Sequence, residues 1–297
     1  MHNKKLGAVD VGTNSIRMLI GEVQDNKSFK VLETARNSTR IGQGMSEQPL
    51  LRTDAMERTI AGLKEFKLYL NDNKVDELRI VATSAVRDSK NKQKFIQLVK
   101  GETGLDLEVL TGEEEAELTY LGAINSLPVQ SNSVVIDIGG GSTEYIWQGA
   151  SGIQLCSINA GAVRLFEKPL SKVELKTTLN SALEKIKPNT PVSLIGVGGT
   201  VTTAALVELK MKEYNPLKTH GFKLTYSSVR SMWQELVEKE IKERRKIVGL
   251  PSDRADIIPF GLEILLISME ELNANEIIVS EEGIMHGIIA RLIHELN

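Results

Sequence analysis

The sequence predicts an α/β protein of two homologous halves with mixed sheets, and three observations carry that reading. The run Val134-Val135-Ile136-Asp137-Ile138 leads into Gly139-Gly140-Gly141-Ser142-Thr143-Glu144 and then into Tyr145-Ile146-Trp147. β-Branched residues, a glycine turn and a second β-type run read as strand, tight turn, strand. Leu6 to Ser15 repeats the pattern near the start, with Asp10 standing where the later copy has Asp137, and Ile16 to Val23 forms the next β-type run. The third observation is the order of elements. Each half opens with three strands and then alternates helix and strand.

In chain order, residues 4–10, 15–23 and 28–38 read as strands, with Gln24-Asp25-Asn26-Lys27 as the clearest turn between them. Thr39 to Gly44 is a loop in which Arg40 lies near two glycines, either as an anion contact or as an ordinary surface arginine. Thr53-Asp54 caps a helix of about twenty residues whose stripe is Ala55, Ile60, Leu63, Phe66 and Leu70. Leu78 to Thr83 is a buried-type strand, a helix covers about 89–103, and Leu107 to Leu110 is a strand. Gly112 opens the next helix. In the second half, strands cover about 133–137, 143–148 and 153–159, helical sequence runs to about Lys187, and Val192 to Gly196 is a strand. A helix from Val201 to Lys212, helical stretches over 226–247 and 252–270, a strand at Glu276 to Ser280 and a closing helix complete the chain. Leu127 to Ser133 reads as the linker, which divides the chain into 1–126 and 127–297.

The chain has 297 residues, a size that favours two domains. A net charge of −3 does not support a basic nucleic-acid surface. No apolar run approaches the roughly 20 residues needed to span a bilayer. The N-terminus lacks a signal-peptide pattern, and Cys156 is the single cysteine, so no internal disulfide forms and a cytoplasmic location is expected. His2, His220, His286 and His294 show no metal-type spacing.

The candidate chemistry is anion binding. Glycines let backbone N–H groups close on an anion. Gly12, Thr13, Asn14 and Ser15 form one such turn, Gly139, Gly140, Gly141 and Ser142 a second. Gly198, Gly199 and Thr200 form a third, at a helix N-terminus. The third is neither a Walker motif nor a dinucleotide fingerprint. Arg87 stands just past a strand's carboxyl end, where open α/β sheets place ligands, and offers a fork for phosphate oxygens. Glu113, Glu114, Glu115 and Glu117 occupy a helix's first turns, where acids complement the dipole. Spacing alone does not say which of them serves a site.

The ordered motifs at Asp10–Ser15, Arg40–Gly44, Ala82–Asp88, Gly112–Ala116, Asp137–Glu144, Gly196–Thr200, Arg254–Pro259 and Ser280–Gly283 closely resemble the exopolyphosphatase and guanosine-pentaphosphate phosphohydrolase family. The resemblance runs from about residue 5 to about residue 290. It implies two ribonuclease-H-like, actin-like domains flanking a cleft, and Mg²⁺-dependent hydrolysis of a terminal phosphoanhydride. By position, Glu115 matches the catalytic glutamate, with Glu114 as a rival, and Arg87 matches the arginine beside it. Asp137 and Glu144 match the acids of the second domain, and the three turns match the phosphate loops, with Arg40 beside the first. Asp10 and Asp137 would face each other and hold Mg²⁺ directly or through its waters. The implied substrate is inorganic polyphosphate or guanosine pentaphosphate. A phosphotransferase of the same superfamily and a non-catalytic polyphosphate or alarmone sensor are the alternatives. The family suggests a homodimer. Longer members carry a C-terminal extension beyond the point matching Asn297, and its lack argues against long-chain processivity and extensive dimer contacts.

Overall fold

The computed structural model describes residues 4–25, 28–124, 127, 132–149, 152–187 and 192–296. Asn26 and Lys27 of the expected turn, residues 128–131 of the expected linker and His2 lie outside the described residues. The chain divides into two units, residues 1–122 with 284–297 and residues 123–283.

Unit 1 begins with β1 (Lys5–Val11), β2 (Ile16–Val23) and β3 (Phe29–Asn37), followed by α1 (Thr53–Asp72), β4 (Glu77–Ala82), α2 (Ser84–Asp88), α3 (Lys92–Thr103), β5 (Glu108–Val109) and α4 (Gly112–Ile124). Its sheet has the order β3-β2-β1-β4-β5. The first three strands are antiparallel neighbours, and β4 and β5 join parallel to β1. The expected stripe of α1 is buried as its spacing requires. Its cap differs from expectation. Arg52 takes the N-cap position without a side-chain cap, and Asp54 serves the first turn, bonded to Arg58 at 2.8 Å. The helix expected over 89–103 begins at Lys92, because a separate short helix, α2, takes up the Ser84–Asp88 stretch.

Unit 2 contains β6 (Ser133–Ile138), β7 (Thr143–Gly149), β8 (Gly152–Ile158), α5 (Ala162–Glu167), α6 (Lys172–Ile186), β9 (Ser193–Val197), α7 (Gly198–Glu208), α8 (Pro216–Thr219), β10 (Lys223–Thr225), α9 (Tyr226–Glu238), α10 (Ile241–Arg244), α11 (Ile258–Glu271) and β11 (Glu276–Val279). The sheet order is β10-β11-β9-β6-β7-β8. Read from its far edge, 8-7-6-9-11 repeats 3-2-1-4-5, with the same antiparallel and parallel pairings. The duplication legible in two hairpins therefore extends to whole sheets, and both units are ribonuclease-H-like. The edge strand β10, antiparallel to β11, had no sequence signal. The helix expected over 226–247 breaks after Glu238. Arg244, expected on a solvated helix end, folds back instead, donating to the carbonyls of Leu236 at 2.6 Å and Ala255 at 3.3 Å. The stretch expected as one helix over 252–270 is a single turn, Ser252–Arg254, followed by α11.

The main correction concerns the closing helix, α12 (Ile284–Glu295), which the sequence division assigned to the second half. It belongs to unit 1. Its apolar residues Ile284, Ile288, Ile289 and Leu292 join Leu6, Ala8, Leu19 and Val81 of the sheet and Leu118 of α4 in one buried cluster. A face carrying Leu6, Ala8 and Leu19 needs a cover, and chain order does not restrict which helix supplies it. Among the described residues, no helix is long and apolar enough to cross a membrane.

The packing of α12 is tightest at Gly287, where an added Cβ would lie inside the Leu118 carbonyl. Gly287→Ala should destabilise the protein by about 1–3 kcal/mol through overpacking. Gly101→Ala, whose Cβ meets nothing within 4 Å, is the matched control. It should stabilise by about 0.5–1 kcal/mol through helix propensity. Urea melts of the two variants check this, and equal stabilities would disprove the close α12–α4 contact.

Candidate active site

The site is built from hairpins whose strands end in an acid. In unit 1, Asp10 is 2% exposed and stands one residue before the end of β1. The turn after it closes when the Gly12 amide donates to the Ser15 carbonyl at 3.1 Å. The loop around Arg40 braces the turn. The Arg40 amide donates to the Asn14 carbonyl at 2.9 Å and the Gly42 amide to the Thr13 carbonyl at 3.0 Å. Arg40 has φ 51°, a left-handed backbone uncommon for a non-glycine residue. The hydroxyls of the turn are committed to the protein: Thr13 Oγ1 bonds Ser84 Oγ at 2.8 Å, and Ser15 Oγ accepts from Arg36 at 3.0 Å. The amides of Thr13 and Asn14 have no acceptor among the described residues, so they are the donors the turn offers to an anion.

The second feature of unit 1 is an ion pair. Arg87 lies in α2, just past the carboxyl end of β4, and its Nη1 donates to Glu115 Oε2 at 2.5 Å and to the Leu110 carbonyl at 3.4 Å. Glu115 is 9% exposed. It lies one turn before Leu118 on the inner face of α4, toward the sheet face that carries Asp10. The other glutamates are separated from it by the helix start. Glu114 accepts from the Thr111 amide and hydroxyl, both at 2.9 Å, and the Glu114 amide donates back to Thr111 Oγ1 at 3.2 Å. That reciprocal pair is a capping box. The Thr111 amide, with its hydroxyl, holds the Glu114 carboxyl below the usual glutamate range. Glu113 is exposed, and Glu117 pairs with Arg291 at 3.0 Å.

Unit 2 repeats the hairpin. The Gly139 amide donates to the Ser142 carbonyl at 3.0 Å, matching the Gly12–Ser15 closure. The loop before α5 braces it, with the Val163 and Arg164 amides on the Gly140 carbonyl at 2.9 and 3.0 Å and Arg164 Nε on the Gly141 carbonyl at 2.8 Å. The amides of Gly140 and Gly141 have no acceptor among the described residues. Asp137 and Glu144 face each other in register across β6 and β7. Glu144 is 3% exposed and accepts from Ser157 Oγ at 2.8 Å. The third turn is brought to the same acid. Gly198 has φ +80°, and its Cα is so close to Asp137 Oδ1 that a Cβ would overlap it. Thr200 Oγ1 donates to the Ile138 carbonyl at 3.1 Å, so its role is to tie α7 to β6. Arg254 donates to the Gly199 carbonyl and, at 3.0 Å, to Thr203 Oγ1. The α7 N-terminus carries no side-chain cap, which leaves its first amides as anion donors.

Residues 19–296 match the pattern of the Ppx/GppA phosphatase family. The chain belongs to this family. It is 32% identical over 304 residues to a bifunctional 3-dehydroquinate synthase/phosphatase of Fusobacterium nucleatum, covering 95% of this chain and 46% of that protein, so it spans about half of that relative's length. It is 30% identical over 313 residues to exopolyphosphatase 2 of Mycobacterium tuberculosis, with 97% and 98% of the two chains covered. The crystal structure of the Aquifex aeolicus Ppx/GppA family member superposes with a TM-score of 0.81 at 31% identity, covering 99% of each chain.

Within this Ppx/GppA fold, unit 1 brings together Asp10, Gly12–Ser15 and Arg40, and separately joins Arg87 to Glu115. Unit 2 brings together Asp137, Glu144, Gly139–Ser142 and Gly198–Thr200. Sequence reasoning missed Arg17, whose Nη2 and Nε donate to Asp10 Oδ2 at 2.7 and 3.2 Å. The signal was present. Arg17 follows Asp10 by seven residues, as Glu144 follows Asp137. It missed Arg36, whose register depends on strand pairing, and Arg164, which the loop before α5 brings to the turn.

The capping box carries its own pH dependence. A carboxyl held below its ordinary range contributes stability above its unfolded pKa and loses it as pH falls through the folded value. Glu114→Ala should therefore destabilise by about 1 kcal/mol at neutral pH. The difference from wild type should shrink as the pH is lowered from neutral to below the ordinary glutamate range. Urea melts at the two pH values measure it, and a difference independent of pH would rule out the capping role.

Proposed function

We propose that this chain hydrolyses a terminal phosphoanhydride, releasing orthophosphate from inorganic polyphosphate. The observation that carries the reading is the largely buried Arg87–Glu115 pair, on the sheet face that also bears Asp10. A water-activating carboxylate must be within reach of a phosphate and held in orientation. Arg87 holds Glu115 through Nη1, and its guanidinium has five N–H donors in a fixed fork, suited to phosphate oxygens as well.

Phosphoryl transfer is mainly positioning and charge neutralisation. Each unit offers donors suited to phosphate oxygens: the turn amides at Thr13–Asn14 in unit 1, and those at Gly140–Gly141 with the α7 N-terminus in unit 2. Glu115 orients a water and takes its proton as the water oxygen bonds the terminal phosphorus. The P–O bond to the penultimate phosphate breaks, and the bridging oxygen leaves with its electron pair. The products are orthophosphate and a chain one unit shorter.

Mg²⁺ fits unit 2. Asp137 and Glu144 are two carboxylates directly opposite on neighbouring strands, a donor set of the kind that Mg²⁺ takes. No group of three or more metal-type side chains occurs among the described residues. Mg²⁺ keeps several waters and is usually held by one or two carboxylates together with substrate phosphates. When bound, it would neutralise charge on the phosphate oxygens. Guanosine pentaphosphate presents the same bond and is the natural second substrate to assay.

Incubating the protein with polyphosphate and Mg²⁺ tests the reading. Phosphate release supports a hydrolase, ATP formation from added ADP a transferase, and binding without turnover a sensor. Glu115→Gln should lower phosphate release by about 10²–10⁴-fold while polyphosphate still binds. Glu114→Gln should remain within about threefold of wild type, since glutamine also completes a capping box. A larger loss in Glu114→Gln than in Glu115→Gln would reverse the assignment.

A further inference from the structure

A helix as short as α2 does not hold its own position. Helices shorter than about 12–15 residues are marginal in water, and α2, Ser84–Asp88, has no side-chain N-cap. Its place is set by what it touches. Ala85 and Val86 are buried in the core shared by α1 and the sheet. The Thr83 amide just before it donates to the Val11 carbonyl at 3.3 Å. A third anchor is polar. Ser84 is 4% exposed, and its Oγ lies 2.8 Å from Oγ1 of Thr13, which is 7% exposed.

That bond joins the helix to the first glycine turn at one residue. The Thr13 amide has no acceptor among the described residues, whereas the Thr13 carbonyl accepts from the Gly42 amide at 3.0 Å. Gly42 fits there because it lacks a side chain: an added Cβ would overlap Thr13 Cγ2 and lie 3.2 Å from Ala85 Cβ. The Arg40 loop, the turn and α2 therefore meet at Thr13, Gly42, Ser84 and Ala85. Arg87 follows Ser84 by three residues, one turn along the same helix face. Its Nη1 donates to Glu115 Oε2. A displacement of α2 at Ser84 is thus carried to the guanidinium.

We propose that Ser84 is a positioning residue for the Arg87–Glu115 pair, acting through the buried Thr13–Ser84 hydrogen bond, which ties α2 to the turn. One threonine then offers its amide to a phosphate oxygen and its hydroxyl to the helix that carries the arginine. The inference rests on the reading of Arg87 and Glu115 as the catalytic pair, and it adds what fixes their place relative to the turn.

Kinetics and a spectroscopic readout of Arg87, both on the full chain, test it. Ser84→Ala should lower kcat for phosphate release from polyphosphate by about 10–100-fold with KM within about threefold, the pattern of a misplaced catalytic group. In an Arg87→Ala background, adding Ser84→Ala should cost no more than about twofold, whereas an independent structural role would cost the same in both backgrounds. Thr13→Val combined with Ser84→Ala removes both hydroxyls, so urea melts should place it close to wild type while kcat stays low. That double variant also serves where Ser84→Ala alone is unstable. The nitrogen NMR signal of the Arg87 Nε–H, identified by its loss in Arg87→Lys, should move by more than its linewidth in Ser84→Ala, and it reports position without turnover. A wild-type kcat in Ser84→Ala or in the double variant, equal losses with and without Arg87, or an unmoved Arg87 signal would overturn the proposal. No phosphate release from the wild-type protein would remove the hydrolase reading, and the Arg87 signal would then decide the role of Ser84 alone.

Discussion

The bond from the Gly12 amide to the Ser15 carbonyl, repeated from Gly139 to Ser142, is the constraint on which the rest of each unit depends. It closes a turn of fixed length. That fixes the register of the flanking strands, and register decides which side chain faces the acid. A slip of one residue would turn Asp10 and Asp137 to the opposite face of their sheets. The closure also arches the turn so that its central amides point away from the strands, where they are available to an anion.

Around that closure the structure spends its other polar groups on holding position. Thr13, Ser15 and Thr200 commit their hydroxyls to the protein, and Arg164 and Arg254 bond carbonyls of the turns they support. The donors that remain are backbone N–H groups, which a rigid turn can aim without side-chain entropy. The opposed or paired charges are Asp10–Arg17 and Arg87–Glu115 in unit 1 and Asp137–Glu144 in unit 2. The same scaffold, used twice, carries two acid–arginine pairs on one copy and two directly opposed acids on the other.

The placement of α12 shows how a fold can be complete in pattern and still incomplete in cover. The sheet face bearing Leu6, Ala8 and Leu19 also bears Asp10, and α4 with α12 shields it from water. Excluding water there strengthens the Asp10–Arg17 interaction and the Arg87–Glu115 pair alike. The stability of unit 1 and the electrostatics of its acids therefore depend on a segment that arrives from the far end of the chain.

The sequence by itself determined the repeated strand–acid–glycine hairpins, the order of strands and helices in each half, and the place of the glycine turns, because period, β-branching and glycine placement are local. It also narrowed the proposed base to the start of α4. Choosing among Glu113, Glu114 and Glu115 from the residues alone was not possible, since all three complement a helix dipole equally well. Family resemblance favoured Glu115. The tertiary structure separates their partners: Thr111 claims Glu114 as a cap, and Arg87, distant in sequence, claims Glu115. Arg17 opposite Asp10, the edge strand β10, the return of Arg244 onto Leu236 and the transfer of α12 to unit 1 were likewise decided only by packing. Each depends on residues far apart in the chain meeting at one face or one register, and no local pattern encodes that meeting.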